Sequence, residues 1–297
     1  MKTIIKRSIL ALLIIALSGS AVFLALNIIK QNNYNFTADT LPKIDGSTST
    51  KPLTTAVVAH LLKIPTEQAD AMFVHNKTDL SYRLLFEKQS DIIFVTEPSR
   101  QELDEAERSK VELSIVPVVK EGFVFITHKD NPVDSLTIEQ IQDIYQGKIT
   151  NWSEVSGEDK EILAYRRNVD SGSESLMTNL VMKDLPMAAP APDMLVISMS
   201  GLISAVAEYE NDASAIGYSV YYYASLMEAN PNIKFIKVNG VLPTNETIAN
   251  ESYPLSTNYY MVTRKGIHSS NLTSFMKWLQ TSEAKTVFES AGYIPIR

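Results

Sequence analysis

Arg167 stands four residues before Ser171-Gly172-Ser173, a spacing that can build a site for an oxyanion. The run that follows reads as a helix, whose first turn leaves N–H groups unpaired and carries a partial positive charge. Ser171 and Ser173 can cap that helix or donate O–H bonds. Gly172 lets the main chain approach a ligand, and the Arg167 guanidinium offers a planar fork to two oxygens at once. The same string also describes a plain N-cap beside an exposed arginine, so it needs a partner elsewhere in the chain.

A second element of this kind is Ile44-Asp-Gly-Ser-Thr-Ser-Thr-Lys-Pro-Leu53. A strand ends at Gly46, and a run of hydroxyls led by Ser47 and Thr48 then opens a helix. A capping box without an anion fits it equally well. Each element is half a site, and an ion clamped between two lobes needs one from each. A third element follows the apolar strand Asp91-Ile-Ile-Phe-Val95. Thr96, Glu97 and Ser99 lie at its carboxyl end, where open α/β sheets bind ligands. A carboxylate such as Glu97 opposes a bound anion unless the ligand carries a proton to share, so it would favour a protonated phosphate over sulfate.

Enzymatic chemistry has little support. His60, His75, His128 and His268 show no metal-binding spacing and read as surface or packing residues. There is no Gly-x-Ser-x-Gly, and Gly46-Ser-Thr-Ser-Thr-Lys51 lacks the second glycine and the spacing of a P-loop. No base is placed beside Ser47 or Ser171. Cysteine is absent, which excludes disulfides, thiol catalysis and a lipid-modified cysteine. The expectation is a non-enzyme without metal or cofactor. Tyr221-Tyr-Tyr223 reads as packing in a core or interface.

The elements that must position these residues alternate. Strands are expected at 43–45, 71–75 and 91–96, with helices at 50–62, 80–88 and 99–108 between and after them. Two close strands, 111–119 and 122–128, come next. Further on, 161–165, 216–218, 233–238 and 253–263 read as strands, 136–145, 174–181, 199–208, 272–279 and 283–290 as helices, and 244–250 as a loop. Such alternation implies βαβ units and mostly parallel sheets, and 297 residues suffice for two α/β lobes.

Net charge is −7. Residues 1–36 contain Lys2, Lys6, Arg7 and Lys30 and no acid, so the remainder holds 23 basic against 34 acidic residues. That acidic remainder argues against nucleic acid, though not against a small anion in a locally positive pocket. The uncharged apolar run from about 8 to 29 reads as an export signal. Ser18-Gly-Ser20 could serve as a cleavage site, but apolar residues continue past it, which favours an uncleaved transmembrane anchor with everything after Lys30 outside. Residues 31–40 read as a tether, with the folded region starting near Leu41.

With these elements in order, the chain resembles the phosphate-binding component of phosphate ABC transporters, the PstS-like group of periplasmic binding proteins. The similarity runs from about Leu41 to Arg297. It is carried by the Ile44–53 string, Asp91-Ile-Ile-Phe-Val-Thr-Glu-Pro98, Phe125-Ile-Thr-His-Lys-Asp-Asn-Pro132, the run from Leu136 through Ile144-Tyr-Gln-Gly-Lys-Ile-Thr-Asn-Trp152, Tyr165-Arg-Arg-Asn-Val-Asp-Ser-Gly-Ser173 and Gly292-Tyr-Ile-Pro-Ile296.

The resemblance implies a two-lobed, type II periplasmic-binding-protein fold joined by two crossover strands, near 122–127 and 255–262. Lobe 1 would be 37–125 plus 256–297 and lobe 2 would be 126–255, after a signal peptide or anchor and tether at 1–36. It implies Ser47, Thr48, Thr96, Glu97, Arg167 rather than Arg166, Ser171, Gly172 and Ser173 as the ligand set. Val95-Thr96-Glu97 departs from both family patterns at that strand end, an aspartate in one branch and Ser-Arg in another. The implied role is capture of inorganic phosphate or a similar oxyanion outside the cytoplasm, by a membrane-anchored monomer that delivers it to ABC permease subunits. The alternative is a membrane-anchored sensor or interaction protein with the same fold and an altered or lost ligand site.

Overall fold

Four successive apolar residues, Ile92-Ile-Phe-Val95, are all buried, as a strand covered on both faces must be. The computed structural model describes residues 34–183, 185–208, 213–266 and 268–296. Phe36–Arg297 forms one compact unit, and Met1–Asn35 is a second unit of which only residues 34 and 35 are described. The apolar run at 8–29, expected as a signal peptide or anchor, therefore lies outside the described residues. Among the described residues, no helix is long and apolar enough to cross a membrane.

The described strands are β1 (Ile44–Gly46), β2 (Ile92–Val95), β3 (Leu113–His128), β4 (Ser135–Leu136), β5 (Leu163–Ala164), β6 (Arg166–Arg167), β7 (Leu195–Val196), β8 (Ala215–Val220), β9 (Ile233–Phe235), β10 (Lys237–Val238), β11 (Ser256–Arg264) and β12 (Ile294–Pro295). The main sheet runs β1-β2-β11-β3-β8-β5, with β12 and β9 also paired to β3. β3 is its spine. Residues 113–122 of β3 pair with β11, and 123–127 pair with β8. β3 therefore exchanges β11 for β8 after Gly122, which pairs with Ser256.

The expectation of mostly parallel sheets is corrected to a mixed arrangement. β1 with β2 and β5 with β8 are parallel, as are the small pairs β4 with β10 and β6 with β7. β11, however, returns between β2 and β3 and runs antiparallel to both, and β8 and β9 run antiparallel to β3. Only segments joined by a helical crossover lie parallel, and the strands that pass between lobes break that rhythm.

Other expectations shift for local reasons. Lys120-Glu-Gly122 reads like a turn between two strands, yet β3 runs straight through, because the Glu121 carboxylate accepts from the Gly122 and Tyr222 amides at 2.8 and 3.1 Å. Residues 71–75 form a turn and irregular chain instead of a strand, and 244–250 holds a short helix, Asn245–Ala249, capped by Thr244. Of residues 161–165 only Leu163–Ala164 is strand, β5, and β6 begins after Tyr165. The tether ends sooner than expected: Phe36 packs edge-on against Phe275 at 5.9 Å, and Ala38–Thr40 is a capped turn.

Helices Lys51–Leu62, Thr78–Phe86, Arg100–Arg108, Ser270–Trp278 and Ser282–Ser290 accompany the β1-β2-β11 side. Its core joins Tyr82, Leu85 and Phe86 to Ile93, Val95 and Val262. Ile138–Tyr145, Met199–Glu208 and Gly172–Leu176, which continues to Met182 with π geometry, accompany β8. There Phe123, Phe125, Tyr145 and Tyr218 pack ring against ring at 5.4–6.3 Å. From each group some helices, among them Thr78–Phe86, Gly172–Leu176 and Met199–Glu208, begin at the same cavity.

Candidate anion-binding site

Ser47 follows the end of β1, and its amide donates to the Phe94 carbonyl at 2.9 Å. This close approach requires Gly46, since a Cβ there would meet the Phe94 oxygen at 2.4 Å. A 3-10 turn, Thr48–Thr50, then leads into the helix Lys51–Leu62, whose geometry leaves the first amides without helical partners. Ser47 Oγ lies 3.2 Å from both Ser49 Oγ and Thr50 Oγ1. His75 Nδ1 donates to the Ser47 carbonyl at 2.8 Å, and burial pushes the His75 pKa below its ordinary value. In the neutral ring that bond places the proton on Nδ1. His75 thus positions the loop.

A neighbouring loop is drawn in by a buried carboxylate. Asp45 accepts from the Gly46 and Asn76 amides at 2.6 and 2.8 Å, from Asn76 Nδ2 at 2.8 Å and from Ser81 Oγ at 3.0 Å. Lys77 then takes φ 69° and ψ 169°, a region that side-chain-bearing residues occupy only under constraint. The constraint starts the helix Thr78–Phe86 at the opening. At the end of β2, Thr96 is 3 % exposed and its hydroxyl has no hydrogen-bond partner among the described residues.

β6 contributes Arg167. Its amide donates to the Tyr218 hydroxyl at 2.9 Å, and the Tyr218 hydroxyl donates to the buried Glu174 carboxylate. Its Nε and Nη2 donate to the Val196 and Ile197 carbonyls at 3.0 Å, and Nη1 lies 3.4 Å from Ser173 Oγ. Arg167 is 5 % exposed, and burial pushes its pKa below the ordinary value. Among the described residues no carboxylate stands within ion-pair distance of it; Glu174 is taken by Arg166, at 2.5 Å. A buried guanidinium held by neutral acceptors keeps its charge and needs an anion. Ser171 caps the next helix, accepting from the Glu174 amide at 3.2 Å.

These groups surround a cavity of about 200 Å³, smaller than the sites that hold drug-sized molecules. Ser47, Thr48, Thr96, Arg167, Ser171, Gly172 and Ser173 all line it. Glu97 does not. Successive side chains along an extended segment point to opposite faces, so Thr96 turns inward and Glu97 is exposed. The carboxylate that does line the cavity is Asp170, an exposed residue at its edge.

Sequence reasoning missed Thr78 and Ser198, which also line it. Ser198 accepts from the Gly201 amide at 3.0 Å and so caps the helix Met199–Glu208; the Ser-Met-Ser-Gly string was the available signal. Thr78 carried no such signal, because it depends on the distant Asp45. The 3-10 turn that leads into Lys51–Leu62 and the helix starts at Thr78, Gly172 and Met199 thus meet at one cavity. Their partial positive ends add to the Arg167 charge.

The fold and this donor-rich cavity define a two-lobed binding protein for a small anion. The chain belongs to the PBP superfamily, whose domain matches residues 36–283. It is 25% identical over 282 residues, 93% of this chain and 97% of the other, to the phosphate-binding protein PstS of Borreliella burgdorferi. Among solved structures it is similar to a putative phosphate ABC transporter substrate-binding protein with bound phosphate from Clostridium perfringens, at 25% identity and TM-score 0.67, over 86% of this chain and 98% of that one. The fold is shared with an ABC-type phosphate transport receptor from Vibrio cholerae, at 23% identity and TM-score 0.64, over 84% and 98%. The resemblance to the PstS-like group carried by the sequence motifs holds.

Proposed function

We propose that this protein is an extracytoplasmic solute-binding protein that captures phosphate by closure of its lobes and delivers it to the permease of an ABC importer. One observation carries the reading: among the described residues Arg167 is buried with no carboxylate within ion-pair distance, on a cavity where the Thr96 hydroxyl has no hydrogen-bond partner. Phosphate, with four oxygens and negative charge, complements that set. The named relatives bind phosphate and match nearly the whole chain.

The ligand set is Ser47, Thr48, Thr96, Arg167, Ser171, Gly172 and Ser173, divided between lobe 1 (37–125 and 256–297) and lobe 2 (126–255). Glu97 is left out of it. Affinity comes from many preorganised donors in a dry cleft, each charge-assisted bond contributing about 1.5–3 kcal/mol. No bond is made or broken. The chain works as a monomer on the outer face of the membrane, attached through its N-terminal apolar segment.

Equilibrium dialysis of the full-length protein against labelled phosphate, with sulfate and molybdate as competitors, tests the reading. Saturable retention of phosphate, displaced poorly by sulfate, is expected. Failure to retain phosphate would remove the reading.

A further inference from the structure

We infer that Lys77 is a further ligand-binding residue of the anion cavity, whose ammonium closes on the bound anion at the mouth and balances its second negative charge. The inference rests on the capture of phosphate argued above. Among the described residues, those that line the cavity with a formal charge are Lys77, Arg167 and Asp170. Without Lys77 the arginine and the aspartate cancel. With it the lining is positive by one charge, to which the helix starts add their partial charges. A phosphate near neutral pH carries about one to two negative charges, so the lysine brings the site closer to balance.

The backbone at Lys77 makes its side chain informative. Its φ of 69° and ψ of 169° fall in a region occupied almost entirely by glycine. Lys63 also has a positive φ, but its 55° and 45° are the ordinary left-handed end of a helix. The strained residue is held from both sides. Asp45 accepts from the Asn76 amide and Nδ2 at 2.8 Å, and the Ser81 amide donates to the Lys77 carbonyl at 3.0 Å. Glycine would meet this backbone requirement without strain. What lysine adds is a charge on a long stem.

Position gives that charge its task. Gly172 abuts Thr78, since a Cβ on the glycine would stand 2.6 Å from the threonine Oγ1. Lys77 precedes Thr78 and Asp170 precedes Ser171-Gly172, so an exposed lysine and an exposed aspartate come from the two segments that meet at the mouth. A lysine side chain reaches about 6 Å from its Cα, comparable to the width of a cavity of about 200 Å³. The carboxylates near Lys77 in sequence are engaged elsewhere: Asp45 by Gly46 and Asn76, Asp79 by Arg83. Among the described residues Lys77 enters no ion pair. Its ammonium can therefore turn to the anion, where it also offsets the repulsion of Asp170. Lying at the mouth, this contact is screened by salt more than the one to buried Arg167.

The test is calorimetric titration of the full-length protein with phosphate at low and high salt, with thermal unfolding of the ligand-free protein, for wild type, Lys77→Met, Lys77→Arg and Lys77→Gly. Methionine keeps the strained backbone and most of the stem while removing the charge. Its dissociation constant should rise about tenfold at low salt, the loss of about one charge-assisted contact, and by less at high salt, with the thermal midpoint little changed. Lys77→Arg restores the charge and should bind within about threefold of wild type. Lys77→Gly relieves the backbone, so it should unfold at a higher temperature and still bind as weakly as Lys77→Met. Wild-type affinity in Lys77→Met or Lys77→Gly, or an equal loss in Lys77→Arg, would overturn the assignment and leave phosphate capture standing. Absence of phosphate binding by the wild type would overturn the capture reading together with it.

Discussion

Gly172 abuts Thr96 so closely that a Cβ on the glycine would stand 2.8 Å from the threonine Oγ1, and 2.6 Å from that of Thr78. Gly172 belongs to the loop after Arg167, and the two threonines sit with β2 and its neighbouring helix, so the contact joins the two faces of the cavity. Both hydroxyls are carried on the β-carbons of buried threonines, so each would have to turn about χ1 to make room. Gly172→Ala is therefore expected to oppose closure. Its phosphate affinity should fall about tenfold or more, the effect of roughly 1.4 kcal/mol, while its thermal midpoint changes little. Titration calorimetry and thermal unfolding measure the two quantities; unchanged affinity would mean that closure does not depend on this contact.

Arg166 and Arg167 are adjacent in β6 and have opposite tasks. Arg166 closes on Glu174 at 2.5 Å and donates to the Ala188 carbonyl at 2.7 Å, away from the cavity lining. Glu174 is buried and also receives the Tyr218 hydroxyl. Removing the arginine strands that carboxylate, which costs about 3–5 kcal/mol for a buried pair. Arg166→Ala should thus unfold at markedly lower denaturant while the folded fraction still binds phosphate. A fully stable variant that had lost binding would reverse the two roles.

Selectivity against sulfate is assigned to the cavity edge. Asp170 is the carboxylate among the lining residues, whereas Glu97 is exposed outside them. A carboxylate accepts from a protonated phosphate and only repels sulfate. Asp170→Asn should narrow the ratio of phosphate to sulfate affinity, and Glu97→Gln should leave it unchanged. Competition between the two anions measures both, and the opposite pattern would return Glu97 to the site.

Stability has a pH dependence of its own. Burial raises the Glu102 carboxyl to about 7 from its ordinary 4.5. The folded chain then holds this proton where the unfolded chain has released it, so the contribution is full below about 4.5 and is lost as pH rises through 7. Glu102 also accepts from the Ser99 amide at 2.7 Å in a capping box, a task glutamine can perform. Glu102→Gln should raise the thermal midpoint at pH 8 more than at pH 5. An equal change at both would show that the carboxyl titrates normally.

The halves of the site built from local signals were legible in the sequence. A small residue, a run of hydroxyls and a following helix mark Ser47-Thr48 and Ser171-Gly172-Ser173, because capping is local chemistry. Thr78 was hidden, since its place depends on Asp45 bonding Asn76 across 31 residues and on the constrained backbone of Lys77. Glu97 was misplaced because residue type alone does not fix which face of an extended segment a side chain takes. The continuous β3 was read as two strands for a related reason: a buried glutamate satisfied by main-chain amides looks, in sequence, like an exposed turn.

The central claim is that a buried, unneutralised Arg167 awaits phosphate. Calorimetric titration of the full-length protein with phosphate, beside its Arg167→Ala variant, tests it most directly. A saturable, near one-to-one heat for the wild type that vanishes in the folded variant is predicted. Equal binding by both, or no heat from the wild type, would contradict it.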